Sequence, residues 1–229
     1  MKTIFILTGA GISAESGVPT FRSEDGLWEG HRVEDVATPE GFKRDPELVH
    51  AFYNERRRRL SSVVPNAAHL AIALLQRECA VTLVTQNVDD LHERAGSGNV
   101  IHMHGELLKA RCERCGTVVD WSGDMDSSSR CSHCGRNGGL RPHIVWFGEM
   151  PLEMESIDAA IASAGIFVAI GTSGNVYPAA GFASIAVAHG IRTLEINPAE
   201  TGISRVFDEH RRGPAGQVVP AWVEEILAV

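Results

Sequence analysis

Four cysteines, two histidines, a glycine-rich turn and one tyrosine–arginine pair are the residues whose types and spacing suit chemistry. Cys112-x-x-Cys115 and Cys131-x-x-Cys134 stand fifteen residues apart. Two such thiolate knuckles fold around one ion, and four sulfurs close a tetrahedral zinc shell. A closed shell has no position for water, so this metal is expected to be structural, and His133 in the second knuckle is not needed as a ligand. Disulfides are the competing reading, but in a chain without a secretion signal the spacing points first to metal. Cys79, the fifth cysteine, reads as a small buried apolar residue.

The first turn runs Thr8-Gly9-Ala10-Gly11-Ile12-Ser13-Ala14-Glu15-Ser16-Gly17. Glycines there let backbone approach a phosphate, and a following helix N-terminus favours negative charge. The pattern is not Gly-x-Gly-x-x-Gly, because the third glycine arrives late, and no convincing ribose-binding acid follows about twenty residues on. A generic dehydrogenase fingerprint therefore fits poorly. His102 and His104 lie on one face if their segment is extended, and either imidazole suits proton transfer near neutral pH. Residue physics does not separate them, and a buried core histidine is the plain reading of each. Tyr53 and Arg56 stand at i, i+3 on one helix face, where both could donate to a carboxylate. In isolation they read as a surface pair. The whole basic run from Arg56 to Arg59 reads as a solvated helix face.

These residues need elements to hold them. Thr3–Thr8 is a buried strand entering the glycine turn. Residues 45–60 are helical in pattern, with Asp45 as N-cap and Pro46 in the first turn, and 66–77 repeat that pattern. Residues 80–85, 100–103, 166–170 and 191–196 read as further strands, and 179–189 as a small-residue helix. Strands alternating with helices imply a parallel sheet covered on both faces. The expected fold is α/β, a Rossmann-like sheet built from 1–29, 65–106 and 142–229. A smaller lobe combines a helical part, 30–64, with a zinc ribbon, 107–141.

At 229 residues, 44% apolar and 22% charged, the chain is composed like a globular protein with one sizeable core. A net charge of -8 argues against specific nucleic-acid binding through phosphate neutralisation. No apolar run approaches the roughly 18 residues of a membrane helix, so no membrane partner is expected. The apolar stretch after Met1 is too short for a signal-peptide core, which makes the cytoplasm the expected compartment.

Gly9-Ala10-Gly11-Ile12-Ser13 followed by Gly17-Val18-Pro19-Thr20-Phe21-Arg22 resembles the NAD-binding signature of the sirtuins. Thr85-Gln86-Asn87-Val88-Asp89, His104-Gly105, both Cys pairs, Val145-Trp146-Phe147-Gly148-Glu149, Gly171-Thr172-Ser173 and Asn197 follow in the family's order. The resemblance covers essentially the whole chain and is nearest the short bacterial deacylases of the desuccinylase-like branch. It implies NAD as co-substrate and one structural zinc ion held by Cys112, Cys115, Cys131 and Cys134. It implies that Gly9, Ala10, Gly11, Ile12, Phe21, Arg22 and Trp28 line the NAD pocket, with Gln86, Asn87 and Asp89 toward the nicotinamide end. Gly171, Thr172, Ser173, Asn197 and Ala215 fall to the adenosine end. His104, not His102, matches the family's general base. Val145, Trp146, Phe147 and Gly148 are expected to receive the substrate peptide as an added strand. Tyr53, Arg56 and the small Ala37 match the branch that accepts succinyl-, malonyl- or glutaryl-lysine.

The implied reaction transfers the acyl group of lysine to ADP-ribose, through attack of the acyl oxygen on the nicotinamide ribose. It gives nicotinamide, O-acyl-ADP-ribose and free lysine, and its partners are acylated-lysine proteins. Two other functions compete with it: mono-ADP-ribosyl transfer from the same NAD site, and a non-catalytic NAD-sensing or zinc-ribbon module. The latter has no use for His104 or the Tyr53/Arg56 pair.

Overall fold

The structure is a computed structural model describing residues 3–20 and 27–228. β1 (Thr3–Thr8) ends in two short 3-10 turns, and β2 (Leu27–Trp28) and β3 (His31–Arg32) form a small hairpin. Three helices follow: α1 (Val33–Val36), α2 (Pro39–Arg44) and α3 (Pro46–Leu60). Then α4 (Ala67–Glu78) leads to β4 (Val81–Thr85), and α5 (Leu91–Arg94) to β5 (Ile101–His102). β6 (Gly105–Cys112), β7 (Val118–Asp120) and β8 (Leu140–Ile144) make a separate antiparallel sheet in the order β7-β6-β8. α6 (Met154–Ser163), β9 (Ala164–Ile170), α7 (Phe182–Ala188), β10 (Arg192–Asn197), β11 (Glu209–Arg212) and α8 (Ala215–Leu227) complete the chain.

Six strands form one parallel sheet in the order β11-β10-β9-β1-β4-β5. Side chains alternate across a strand, and both faces of β1 are covered, so it reads as an unbroken apolar run. Ile4 and Ile6 face a core closed by α4 and α8, with Ile72, Leu75, Val219 and Trp222. Phe5 and Leu7 face the opposite core, with Ile157, Ile161, Phe182 and Ala186 of α6 and α7. Phe5 stacks on Phe167 with ring centroids 5.3 Å apart. Burying each such side chain contributes roughly 1.5–3 kcal/mol before chain entropy is counted.

The helix that carries Tyr53 and Arg56 starts as its residues direct. Asp45 caps α3 by accepting from the Leu48 N–H at 3.0 Å, and Pro46 occupies the first turn, where no donor is needed. α4 has a capping box from Asn66 and His69. The basic run does not act as one face. Arg58 and Arg59 are solvated, but Arg57 is buried, with Nε donating to the Leu107 carbonyl at 3.0 Å, and Arg56 is buried on another side of the helix. Successive helical residues point about 100° apart, so four consecutive arginines cannot share one environment. The region expected as one small-residue helix divides into a 3-10 turn, Ala179–Gly181, and then α7. Cys79 is partly buried against the core. None of the described helices is long and apolar enough to cross a membrane.

Candidate active site

The strand order reverses between β1 and β9, because the chain fills the β4 side first and returns to β9 on the other side. Crevices outside the carboxyl ends of strands at such a switch point bind ligands in open α/β sheets. A cleft of about 670 Å³ opens there and runs toward α3 and the small sheet. The turn after β1 and the turn after β9 meet backbone to backbone. A Cβ on Gly9 would lie 2.8 Å from the Gly171 carbonyl oxygen, and one on Gly11 would lie 2.7 Å from the Gly171 Cα. Gly171 itself has φ +63, which glycine adopts without strain.

Around this junction the polar side chains are fixed by one another. Asn87 Nδ2 donates to the Gly9 carbonyl and to Ser13 Oγ, both at 3.2 Å, and Ser13 Oγ donates to Asp89 Oδ2 at 3.0 Å. Burial holds the Asp89 carboxyl above its ordinary range, against the Leu91 N–H and Ser13 hydroxyl that favour its ionised form. Gln86 Nε2 donates to Thr172 Oγ1 at 3.0 Å, and Asn197 Nδ2 to the Thr172 carbonyl at 2.7 Å. Ser13 stands in the glycine-turn motif, but the sequence assigns its side chain no role. Its partners, 74 and 76 residues away, give it no local signal.

The two histidines separate cleanly. His104 Nδ1 lies 3.1 Å from the Gln86 carbonyl oxygen, which can only accept, so the proton sits on Nδ1 and Nε2 keeps its lone pair. His102 has an acceptor on each side, the Asn87 carbonyl at 3.3 Å from Nδ1 and Glu93 Oε1 at 2.7 Å from Nε2. It is spent as a donor and lines no part of the cleft, whereas His104 does. Burial lowers the His104 pKa from the ordinary 6.5, with the Gln86 carbonyl opposing. Burial also works against a charge on His102, but the Glu93 carboxylate outweighs it and the pKa rises. Gly105 makes the placement possible: at φ +83 it passes so close to the His143 carbonyl that a side chain has no room.

At the other end of the cleft Trp146, Tyr53 and Arg141 form a relay. Arg141 reaches Glu149 with two nitrogens at 2.7 and 2.9 Å, and its guanidinium lies over the Trp146 ring, 3.4 Å from the centroid. Trp146 Nε1 donates to Tyr53 Oη at 2.9 Å. An indole N–H only donates, so the phenol accepts here and its own proton remains to be given elsewhere. Burial raises the Tyr53 pKa, so it stays a neutral donor. Burial lowers the Arg56 pKa to about 10 against the pull of Glu29, and Arg56 remains cationic at neutral pH. Ala37 is buried, and its carbonyl accepts from the Phe147 N–H at 3.0 Å.

Of the residues singled out from the sequence, the cleft gathers Gly9, Ala10, Gly11, Trp28, Ala37, Tyr53, Arg56, Gln86, Asn87, Asp89 and His104. Val145, Trp146, Phe147, Gly148, Gly171, Thr172, Ser173 and Asn197 line it too. Ile12 and Ala215 instead sit in the core beneath it. Phe21 and Arg22 lie outside the described residues. Glu29, Arg59, Asn175, Tyr177 and Thr201 are lining residues the sequence did not mark.

The four cysteines Cys112, Cys115, Cys131 and Cys134 converge away from the cleft, their sulfurs all within 4.8 Å of one another. Two of the separations are 3.9 Å, close to the edge of about 3.8 Å that Zn–S bonds of about 2.3 Å give a tetrahedron. A disulfide needs about 2.05 Å. Each knuckle closes alike, Gly116 donating to the Cys112 carbonyl and Gly135 to that of Cys131, with φ of +74 and +70. The donor set fits a zinc site, and His133 is exposed beside it.

A profile of the Sir2 family matches residues 9–178. The NAD-dependent protein deacylase of Escherichia coli K12 is 60% identical over 98% of this chain and 82% of its own length. That of Yersinia pestis is 57% identical over 98% and 82%. A solved Sir2 homologue–NAD complex matches with a TM-score of 0.91 and 42% identity, covering 99% of this chain and 90% of the other. A Sir2 protein bound to a myristoylated histone peptide matches at 0.77 and 34%, covering 99% and 92%. The chain belongs to the Sir2 family.

The histidine geometry predicts opposite titrations. Followed by NMR on the folded protein, the His104 ring has its midpoint below 6.5 and is neutral at pH 7, while His102 has its midpoint above 6.5. Equal midpoints, or the reverse order, would contradict the hydrogen-bond assignment.

Proposed function

We propose that the chain is an NAD-dependent protein-lysine deacylase that also accepts acyl groups ending in a carboxylate. The observation that carries this reading is His104, with Nδ1 anchored on the Gln86 carbonyl and Nε2 left as a base in a cleft that also holds the glycine junction. The names of relatives 57–60% identical over nearly the whole chain support it.

NAD, when bound, supplies a ribose carbon that loses nicotinamide and a neighbouring hydroxyl. The chain's own residues do the rest. The turn of Gly9, Ala10 and Gly11, with Gly171 against it, admits the dinucleotide close to backbone. Thr172, Ser173 and Asn197 hold the adenosine end, while Asn87 and Asp89, tied through Ser13, hold the nicotinamide end. His104 Nε2 takes the proton of the ribose hydroxyl; a neutral imidazole at neutral pH needs no further shift for this. The deprotonated hydroxyl attacks the acyl carbon and one water completes the release, so acyl-lysine, NAD and water give nicotinamide, free lysine and O-acyl-ADP-ribose. The substrate is acyl-lysine in a protein, its backbone laid along Val145–Gly148. The N–H groups of Val145 and Phe147 already serve His104 and Ala37, so strand addition uses the remaining polar groups.

Mono-ADP-ribosyl transfer would leave the pocket of Ala37, Tyr53, Arg56 and Trp146 without a purpose. Mass spectrometry of a reaction with NAD and succinyl-peptide separates the readings, since ADP-ribosylated protein in place of O-acyl-ADP-ribose would refute deacylation.

The cysteine cluster is proposed to hold one structural zinc ion. Binding four thiolates is coupled to folding of the ribbon, and α3 grips that ribbon through Asn54, which exchanges two 2.8 Å hydrogen bonds with the Met125 backbone. Cys112→Ala should lose zinc and melt at lower temperature, with activity lost through unfolding. A zinc-free variant that was folded and fully active would refute the assignment.

For the base, His104→Tyr should abolish deacylation while NAD binding, followed by calorimetry, persists. His102→Ala should retain far more activity. The acidic limb of kcat/KM should fall below pH 6.5, because His104 must be neutral and burial lowers its pKa.

For the acyl group, a second carboxylate entering an apolar tunnel loses water and costs several kcal/mol unless it is paired. Arg56 and the free proton of Tyr53 offset that loss. Truncating one partner of a buried charged pair costs roughly 2–5 kcal/mol. Arg56→Met should therefore lower the succinyl-to-acetyl ratio of kcat/KM by a factor on the order of 30 to several thousand. Tyr53→Phe should move it the same way, but less. An equal slowing of both substrates would make Arg56 structural.

A further inference from the structure

Arg56 already has a carboxylate. Glu29 places Oε1 3.1 Å from Arg56 NH2 and Oε2 2.9 Å from Arg59 NH1, and all three residues line the cleft beside Tyr53. The contact is built by an uncommon turn. Trp28 pairs with His31 across the β2–β3 hairpin, leaving a two-residue turn with φ +48 at Glu29 and +82 at Gly30. Turns with both central φ values positive favour Asn, Asp and Gly, and a longer side chain there carries strain. Local turn chemistry thus gives no reason for a glutamate, whereas its contact with two guanidinium groups does.

The position of Arg56 does not depend on that contact. Its NH1 donates to the Phe52 carbonyl at 3.0 Å, and its guanidinium lies 3.2 Å from the Phe52 ring centroid and 4.6 Å from that of Trp28. The backbone bond and the two rings hold the group in place from sides other than the carboxylate. Arg59 is in turn paired with Glu55 at 2.8 Å. Glu55 is shared with Arg58, which also pairs with Asp124 at 2.7 Å. The three carboxylates of Glu29, Glu55 and Asp124 therefore balance the guanidinium groups of Arg56, Arg58 and Arg59, and an arriving acyl carboxylate meets no uncompensated positive charge from this set.

We propose that Glu29 is a specificity-setting residue, an internal carboxylate that competes for Arg56 and so tempers capture of succinyl-type acyl chains relative to acetyl. The inference rests on the reading of Arg56 as the group that receives the acyl carboxylate. An acetyl chain brings no charge to this end of the pocket and is indifferent to Glu29. A dicarboxylic acyl chain must share Arg56 with a like charge a few ångströms away or push the Glu29 side chain toward Arg59, and both weaken binding. Because the competition is settled when the acyl group docks, it enters KM more than kcat.

Glu29→Gln keeps the side-chain length and an acceptor for Arg59 while removing the charge. Steady-state kinetics on the full chain with matched acetyl- and succinyl-lysine peptides should show the succinyl-to-acetyl ratio of kcat/KM rising on the order of 3- to 30-fold, through a lower KM for the succinyl peptide. Glu29→Ala should move the ratio the same way. Since both substrates are read on one preparation, the ratio does not depend on how much of a variant is folded. Arg56→Met, run alongside, tests the underlying reading; if it leaves the ratio unchanged, that reading and this inference fall together. If Arg56→Met lowers the ratio and Glu29→Gln lowers it too, or leaves it where it was, Glu29 is a brace for Arg56 and this inference alone is overturned.

Discussion

The carboxyl ends of β1 and β9 touch through backbone alone, and the rest of the site is arranged around that contact. Gly9 and Gly11 on one turn and Gly171 on the other leave no space for a Cβ, so any other residue there has to part the two central strands. Parting them would carry Asn87, whose amide is tied to the Gly9 carbonyl, and with it Ser13 and Asp89. It would also shift Gln86, bonded to Thr8 through its N–H at 2.9 Å, and so the carbonyl that fixes the tautomer of His104. One steric constraint thus reaches from the glycine junction to the imidazole of His104 by hydrogen bonds of known direction.

The second half of the cleft depends on the ion pair of the buried Arg141 with the half-buried Glu149. Isolated buried charges are costly, but this guanidinium meets its carboxylate twice and rests on the Trp146 ring, while the half-buried Arg111 reaches the same carboxylate at 3.2 Å. Glu149 also accepts from the Trp146 N–H at 2.9 Å. Trp146 is therefore held by its backbone and by its ring face, and its indole N–H can aim at Tyr53. The phenol is thus oriented through Trp146, whose own position Arg141 and Glu149 fix.

Much of this was legible in the sequence, for reasons that differ by residue. The Cys pairs and the glycine turn carry their chemistry in local spacing, so their clustering could be anticipated. β1, β4 and β9 announce themselves because burial on both faces favours apolar residues, whereas β10 shows only Leu194 and Ile196 between polar neighbours, two of which, Thr193 and Glu195, are buried. β11, Glu-His-Arg-Arg, has no such signal: it is an edge strand, where charged residues suit the exposed rim. α8 hides behind Gly216 and an interior Pro220, although Val219, Trp222 and Val223 bury its inner face. Apart from the resemblance, which picks His104, residue types do not separate His102 from His104, because the difference lies in their acceptors, Gln86 against Glu93 and Asn87, which only the fold brings near. Glu29 was invisible for the same reason, since nothing in a Trp-Glu-Gly-His turn foretells a contact with a helix 27 residues further on.

The fold also joins two features that look independent in sequence. α3 turns Tyr53 and Arg56 toward the cleft, and on an adjoining side it turns Asn54 and Arg57 toward the cysteine-bearing sheet. Residues one apart on a helix diverge by about 100°, so a single helix can serve both sides without compromise. Arg57 is buried and bonds both Asn54 and the Leu107 carbonyl of β6, the strand that ends in Cys112. The order of that small sheet thus sets the position of the helix that carries Tyr53 and Arg56. His104 stands between the two sheets: its ring is fixed by the Gln86 carbonyl after β4, and its own carbonyl accepts from the Val145 N–H after β8. Tyr53, through Trp146 and Arg141, leans on β8 as well, so the small sheet steadies both ends of the cleft.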